Sequence, residues 1–483
     1  MSQTLTDSQR KQIHDFALDA RELLTRETRE LLEGVYGLYP DGKMEPPQKL
    51  PQVQADAETA NLHQRLKRFL DDEVQAGLPR DEAVAKLVKE IAFTHLNRLV
   101  AFKMMEARKL IRGTVDKGVE SNGFKFYLAD HPKEFALYQQ GKVDDAYRHF
   151  LLWQCGQVAQ EVKVLFDPQA LPGRIFPRPR SLNGLLALLN ALELAEIWQA
   201  DETIGWVYQY FNEPELQAAF EKVRVGKEKF EAKDIPSATQ LFTPDWIVRY
   251  LVQNTLGRLW VQMHPDTQLV GRDLLNYLAP LQGETPVEEL RPVSEITLLD
   301  PACGAMHFGL VAFDLFAAMY QEELVRAGEP GWPETPSVSD EAAIPAAIIA
   351  HNLYGIDIDL RAVQLSALTL YLKAKGLNKQ ARITDSNLAC ADVLPLNGAR
   401  LGSFIKEMRF TRPVYERLIR ALWQRLQDVN QLGSLLRLEK ELGELIKAER
   451  ARYQELPLFA GVPGEFEGEA AEEEFWAWFK TKP

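Results

Sequence analysis

The sequence has little cysteine and no long uninterrupted apolar run, and each absence excludes a class of protein. Its 483 residues include three cysteines, Cys155, Cys303 and Cys390, too few and too widely spaced for a disulfide framework or a CxxC metal site. This cysteine usage predicts a cytoplasmic protein without a metal centre. Polar residues such as Asn190 and Asp314 interrupt the most apolar stretches, so we expect no membrane span and no targeting segment.

The sequence also lacks an excess of basic residues. Lys and Arg number 56 against 69 Asp and Glu, a formal net charge of −13. This balance argues against a protein that is basic overall, although a local basic groove is enough to bind nucleic acid. A hydrophobic fraction of 46% with 26% charged residues is typical of globular proteins, so disorder throughout is excluded.

Changes in periodicity divide the chain into three predicted regions. Residues 1–235 are predicted to be an α-helical region, with apolar residues recurring at three and four in Ile91–Leu110 and Leu182–Trp198. Residues 236–400 alternate helix and strand signals, the pattern of an α/β domain with crossover helices. Residues 401–483 are predicted to form a helical hairpin followed by an acidic tail.

A loop in the helical region, Arg174-Ile-Phe-Pro-Arg-Pro-Arg180, interleaves arginines with Phe176 and prolines. Two interpretations are open: contact with phosphate groups, or a solvated loop packed on a helix. The second is the commoner origin of such a pattern.

A strand, a tight loop and a helix are predicted in succession across Glu295–Gly304 and His307–Arg326. Gly304 and Ala305 allow a ligand to approach the backbone, and free N–H groups at the helix start favour an anionic group. The pattern therefore indicates a nucleotide site, although a purely structural turn has the same sequence.

A second strand signal, Asn352–Asp359, ends in two acids, Asp357 and Asp359. A carboxylate at the end of the second strand is placed to accept both hydroxyls of a ribose. The step from Asp300 to Asp357 is 57 residues, against roughly 20 in the simple dinucleotide fingerprint. An insertion through the Pro-rich stretch Glu329–Pro345 is therefore expected.

A third strand-like run, Leu388–Leu394, offers Asp392 as an acceptor for an exocyclic amine and Val393 as an apolar wall. Taken singly, Asp359 and Asp392 are also explained as helix caps or loop acids.

These motifs together resemble those of S-adenosylmethionine-dependent adenine-N6 DNA methyltransferases. Asp300-Pro-Ala-Cys-Gly304, with His307-Phe308 after it, is similar to their motif I, usually DPACGSGHF. Ala238–Val248, which contains Thr243-Pro244, resembles motif X. Gly355–Asp359 resembles motif II, and Ala391–Val393 resembles motif III.

The resemblance extends into the helical region. Thr94–Val100, Met104–Arg108 and Gly205–Tyr210 are similar to the N-terminal part of large BREX-type methyltransferases, which are phage-defence proteins. Restriction enzymes that fuse methylation and cleavage share the cofactor motifs, so the resemblance is more specific for a methyltransferase than for a BREX system.

The resemblance implies a Rossmann-like class I methyltransferase domain that binds S-adenosylmethionine. The implied contacts are Thr243, Pro244 and the loop Asp300, Pro301, Ala302, Cys303 and Gly304 at the methionine end, Asp357 on the ribose hydroxyls, Ile358 against the adenine ring, and Asp392 with Val393 at the adenine amine. The chain departs from the family at Ala305-Met306, where Ser-Gly is usual. If position 306 needs a positive φ, Met costs about 1–2 kcal/mol there.

The family's catalytic motif, Asn/Asp-Pro-Pro-Tyr/Phe, does not occur in the sequence. The only Pro-Pro pair is Pro46-Pro47, between Glu45 and Gln48. In the family this motif binds the target amine and stacks on the flipped base. The resemblance therefore implies the cofactor-binding part of an enzyme acting on double-stranded DNA, with catalysis supplied by a second polypeptide or a missing C-terminal half, and with other phage-defence proteins as possible partners.

Three alternatives stay open at this level. The chain could be a non-catalytic product that binds the cofactor or other defence proteins. It could belong to a methyltransferase acting on protein or RNA, because related cofactor motifs serve those substrates. It could be a dinucleotide oxidoreductase, although a motif X segment has no purpose in such an enzyme.

Overall fold

The computed structural model describes residues 5–75, 77–226, 229–230, 243–271, 273–280, 289–383 and 386–391, and short stretches between 401 and 424. Met1–Leu70 and Arg80–Asp392 form one compact unit. Asp71–Pro79 and Val393–Pro483 form a second, of which the predicted hairpin and acidic tail lie almost wholly outside the described residues. The proposed boundary near residue 235 also falls outside them and stays a prediction.

The first half of the larger unit is helical, as the sequence predicts. Its helices are α1 (Asp7–Gly34), α2 (Pro51–Ala55), α3 (Ala57–Gln75), α4 (Arg80–Ala107), α5 (Asn122–Asp130), α6 (Pro132–Gln139), α7 (Val143–Val158), α8 (Lys163–Phe166), α9 (Leu171–Arg174), α10 (Pro179–Leu189), α11 (Thr203–Phe211) and α12 (Glu213–Arg224). Helix α4 is buried around most of its circumference, and α1 packs against α4, α10 and α11. A helix that is buried on most sides lies at the centre of a bundle.

The single helical segment predicted over Leu182–Trp198 is wrong in extent. Helix α10 ends at Leu189, and two 3₁₀ turns come after it. The side chain of Asn190 donates to the carbonyls of Leu186 and Val115, both at 2.8 Å. An asparagine that hydrogen-bonds backbone groups in this way competes with continued helix and ends it.

The arginine loop packs on neighbouring helices. Arg174 forms an ion pair with Glu58, and Arg178 with Glu27 and Glu30. Buried Glu27 accepts both the backbone N–H and the guanidinium of Arg178. The loop is thus held by carboxylates, which favours the structural interpretation over phosphate contact.

The second half of the larger unit has the predicted α/β alternation. Its elements are α13 (Asp245–Val252), α14 (Arg258–Met263), β1 (Leu298–Asp300), α15 (His307–Arg326), α16 (Ile344–Ala347), β2 (Leu353–Asp357), α17 (Leu360–Leu377) and β3 (Asn387–Cys390). The strands are parallel in the order β1-β2-β3, with Leu298 opposite Leu353 and Tyr354 opposite Asn387. Helix α15 has the bounds predicted for it.

The predicted insertion between α15 and β2 is anchored on α14 and the end of α15. The Trp332 ring stacks on His264 with centroids 3.9 Å apart, and the Arg326 guanidinium lies 4.5 Å from the Trp332 centroid. The inserted segment is thus held by packing contacts before the chain re-enters the sheet at β2. Its length accounts for the long interval between Asp300 and Asp357.

The sheet is covered on one face. Helices α15 and α17 pack against the strands, and Leu353 is fully buried. On the opposite face Leu299 is 57% exposed and Ala389 is exposed. Parallel strands are ordinarily buried on both faces, so among the described residues this sheet presents an open apolar face. Within the same residues no helix is both long and apolar enough to cross a membrane.

Candidate cofactor-binding site

A cavity of about 310 Å³ opens at the carboxyl ends of the three strands. Residues from the helical region, from the start of α13 and from the three strand-end loops line it: Gly205, Tyr208, Gln209, Thr243, Pro301, Ala302, Cys303, Gly304, Ala305, His307, Phe308, Ile356, Asp357, Ile358, Asp359 and Ala391. The carboxyl edge of an open parallel sheet is where ligands bind in α/β proteins.

Most of the residues predicted from the sequence meet at this cavity. Thr243, Asp357, Ile358 and the loop Pro301–Gly304 line it. Pro244 and Asp300 are not among its lining residues. Asp392 and Val393 lie outside the described residues, although the adjacent Ala391 contributes to the wall.

The loop after β1 is fixed by backbone hydrogen bonds. The Cys303 N–H donates to the Ile356 carbonyl at 3.0 Å, and the Met306 N–H donates to the Cys303 carbonyl at 2.7 Å. Gly355 makes the close approach possible, because a Cβ there would lie 2.8 Å from Leu388 Cδ2 and 3.1 Å from Cys303 Sγ. The loop therefore turns tightly against β2 before α15 begins.

Position 306 does require a positive φ. Met306 has φ +65° immediately before α15, so the loop keeps a left-handed conformation although Met replaces the glycine usual in the family. Its side chain is fully buried. Burial of a methionine side chain is worth about 2–5 kcal/mol, more than the roughly 1–2 kcal/mol cost of the left-handed conformation.

We predict that Met306→Gly lowers the free energy of unfolding by about 1–3 kcal/mol, because the lost burial exceeds the relieved strain. Urea denaturation measures this. The matched control is Lys109→Gly, since Lys109 has φ +56° but is exposed; it should leave stability unchanged or raise it. A stabilising Met306→Gly would show that the buried side chain contributes little.

Two groups of the cavity that carry reactive chemistry in other proteins are held neutral here. Burial raises the pKa of the Cys303 thiol to about 12, and burial lowers the pKa of His307 to about 4. A thiol is nucleophilic only as the thiolate, so Cys303 is not a nucleophile near neutral pH, and His307 carries no positive charge there.

Asp357 is oriented by two backbone groups. Its Oδ2 accepts the Gly304 N–H at 2.9 Å, and its Oδ1 accepts the Asp359 N–H at 2.8 Å. Burial raises its pKa above the usual value, and among the described residues no cation forms an ion pair with it. Each carboxylate oxygen keeps a further lone pair for a ligand.

Asp359 has a different set of partners. It caps α17 by accepting the Arg361 N–H, pairs with the Arg361 guanidinium at 2.7 Å, and accepts the Tyr208 hydroxyl at 2.8 Å. Burial acts to raise its pKa, but Arg361 and the hydrogen bonds outweigh burial, so the pKa lies below the usual value. The interpretation of Asp359 as a helix cap is confirmed, and this carboxylate is already neutralised within the protein.

The sequence analysis predicts no cavity-lining residue from α11. Gly205, Tyr208 and Gln209 line the cavity although they lie about ninety positions before β1. The only signal in the sequence is the resemblance of Gly205–Tyr210 to the N-terminal part of the family, which indicates no place in the fold.

Comparison with known proteins supports the resemblance. No family profile matches the chain. It is 32% identical over 364 residues to the adenine-specific methyltransferase BrxX of Escherichia coli O9:H4 (strain HS), covering 66% of this chain and 28% of that protein. It is 27% identical over 420 residues to the adenine-specific methyltransferase PglX of Lacticaseibacillus casei (strain Zhang), covering 77% and 33% respectively. The chain thus spans about a third of the length of these curated relatives, and it is a homologue of the BREX-type adenine-specific methyltransferases.

Proposed function

We propose that this chain is the S-adenosylmethionine-binding part of a DNA adenine-N6 methyltransferase in a phage-defence or restriction-modification system of the cytoplasm. The homologues are named adenine-specific methyltransferases, which favours adenine over a protein substrate. The observation that carries the proposal is the cavity at the strand ends. There the Asp357 carboxylate, which has no ion-pair partner among the described residues, lies beside the glycine loop.

The charges around the cavity fit this cofactor. Its described lining includes no lysine or arginine, and of its two aspartates Asp359 is paired with Arg361, whereas Asp357 has no ion-pair partner among the described residues. Dinucleotides and nucleoside triphosphates carry several phosphate charges, which proteins meet with cationic side chains or with backbone N–H groups at a helix start. S-adenosylmethionine has no phosphate and carries a positive sulfonium, so a lining without cationic side chains and with the Asp357 carboxylate suits it. Together with the names of the homologues, this favours a methyltransferase over a dinucleotide oxidoreductase.

The lining also fits the cofactor part by part, and we propose a Rossmann-like class I topology for the domain. Asp357 offers lone pairs for the two ribose hydroxyls, and Ile358, 53% exposed, offers an apolar surface for the adenine ring. The loop before α15 and Thr243 are assigned to the methionine part. When bound, S-adenosylmethionine supplies an electrophilic methyl group, and the residues of this chain bind and orient it.

Catalysis and target recognition are proposed to come from outside these residues. The Asn/Asp-Pro-Pro-Tyr/Phe motif is absent from the sequence, and Pro46-Pro47 lies in a 3₁₀ turn before α2. The open face around Leu299 is suited to packing against further secondary structure. We infer that a polypeptide carrying the motif covers this face, and that double-stranded DNA binds to the completed enzyme.

Calorimetric titration of the chain with S-adenosylhomocysteine and, separately, with NAD⁺ tests the proposed cofactor. Saturable binding of S-adenosylhomocysteine without binding of NAD⁺ is expected. Binding of NAD⁺ alone would contradict the proposal.

We predict that the isolated chain self-associates, because the exposed Leu299 face lies on parallel strands that need a cover. Light scattering after size-exclusion chromatography should give masses above that of a monomer, and co-expression with a polypeptide carrying the catalytic motif should convert them to a defined complex. Leu299→Ser, which makes the face more polar, should reduce self-association. A monomer that the second polypeptide leaves unchanged would refute the proposal that a polypeptide carrying the motif covers this face.

A further inference from the structure

The cavity has one wall that does not belong to the α/β half. Helix α11 contributes Gly205, Tyr208 and Gln209, whereas the strand-end loops begin at residue 301. With glycine at 205 this part of the wall carries no side chain, so a ligand can lie close to the helix backbone. The helical region and the strand-end loops therefore line the same cavity.

Tyr208 connects this wall to the loop after β2. Its ring is buried, and its hydroxyl donates to Asp359 Oδ2 at 2.8 Å. Burial raises the pKa of Tyr208 well above its usual value, whereas the Asp359 carboxyl is held ionised by Arg361. The contact is thus a charge-assisted hydrogen bond from a neutral phenol to a carboxylate, which is stronger than one between neutral groups.

The loop after β2 links this hydrogen bond to Asp357. The Asp359 side chain is fixed by Tyr208 and Arg361, and its backbone N–H donates to Asp357 Oδ1 at 2.8 Å. The Gly304 N–H holds the other oxygen of Asp357 at 2.9 Å. The direction of the Asp357 carboxylate therefore depends on where Asp359 is held.

A second helix of the N-terminal half supports the same group. Phe93, on α4 and fully buried, meets Tyr208 edge-to-face with centroids 5.8 Å apart. The Arg361 guanidinium lies 5.5 Å from the Phe93 centroid. Phe93 thus packs against both side chains that fix Asp359.

We propose that Tyr208 is a positioning residue for the cofactor, and that through Asp359 it aims Asp357 at the ribose hydroxyls. The helical region is then part of the machinery that sets cofactor affinity. This inference rests on the proposed function, because it takes S-adenosylmethionine as the ligand of the cavity.

The test compares two ligands, S-adenosylhomocysteine and its 2′,3′-dideoxy analogue, on the wild-type chain and on Tyr208→Phe. The wild-type chain should prefer the ligand with hydroxyls, and Tyr208→Phe should reduce that preference roughly 3–10-fold, the effect of weakening one hydrogen bond. The ratio of two affinities measured on one preparation does not change with the fraction of folded protein, so a general loss of stability leaves it unaltered.

Tyr147→Phe is the matched control. The Tyr147 hydroxyl is also buried and donates to the Thr114 carbonyl at 2.7 Å, but it does not line the cavity. This variant should be destabilised without a change in the ligand ratio. If the wild-type chain binds S-adenosylhomocysteine and Tyr208→Phe keeps the full preference, the positioning role is refuted and the proposed function stands. If the wild-type chain binds neither ligand, the proposed function fails and the inference fails with it.

Discussion

Asp357→Ala is expected to weaken S-adenosylhomocysteine binding by roughly 10–150-fold, the effect of losing hydrogen bonds to a charged group. The carboxylate has spare lone pairs facing the cavity and, among the described residues, no cation to neutralise it. The variant also removes the acceptor for the Gly304 N–H, which loosens the loop before α15. Isothermal titration calorimetry measures the affinity.

A suitable control is Asp266→Ala, which removes a carboxylate paired with Arg326 outside the cavity and should leave the affinity unchanged. Asp359→Ala is unsuitable, because it would leave the Arg361 guanidinium, 21% exposed, without its carboxylate. The affinity of the wild-type chain for S-adenosylhomocysteine should also fall as the pH is lowered. Burial raises the pKa of Asp357, so the carboxyl protonates, and loses acceptor capacity, at a higher pH than an ordinary aspartate. Equal affinities of the wild-type chain and Asp357→Ala would show that another group binds the ribose.

The purified chain is expected to transfer no methyl group to DNA by itself. Orientation of the target amine makes it a competent nucleophile, and effective molarities for oriented groups reach about 10⁵–10⁸ M, so loss of the motif that orients the amine removes nearly all of the rate. Incubation with tritiated S-adenosylmethionine and plasmid DNA measures incorporation.

Addition of a polypeptide that carries the Asn-Pro-Pro-Tyr motif should restore incorporation, and its Asn→Ala variant provides the control. Incorporation by the isolated chain above a no-protein blank would mean that other residues perform the reaction. In that case the assignment of catalysis to a second polypeptide or a missing C-terminal half would be wrong.

The predictable part of the site is local in sequence. The order of strand, loop and helix from β1 to β3 follows from apolar runs that end in glycine or aspartate, and the bounds of α15 follow from its periodicity. The Asp359 cap is also predictable from local sequence, since an acid directly before an apolar helical run is a typical helix-capping signal. These features need only a few neighbouring residues to specify them.

The parts that the sequence did not predict depend on contacts between distant residues. Tyr208 and Asp359 are 151 positions apart, and nothing around either one indicates the other. The end of α10 depends on the contact of Asn190 with Val115, 75 positions away. At Met306 the backbone conformation is set by hydrogen bonds of the surrounding loop, so a residue unsuited to it by propensity is retained for its burial.

The hydrogen bond from Tyr208 to Asp359 has a consequence for the order of events during synthesis. The ribosome releases α1 to α12 before any strand of the sheet exists, and domains generally begin to fold as they emerge. The cavity needs both ends of a chain separation of 151 residues, and such non-local closure is slow compared with helix formation. The cavity therefore cannot close until the segment through Ala391 has been made. Under the proposed function, cofactor bound at that point would stabilise the finished unit by mass action, so its supply in the cell should influence how much newly made protein survives quality control.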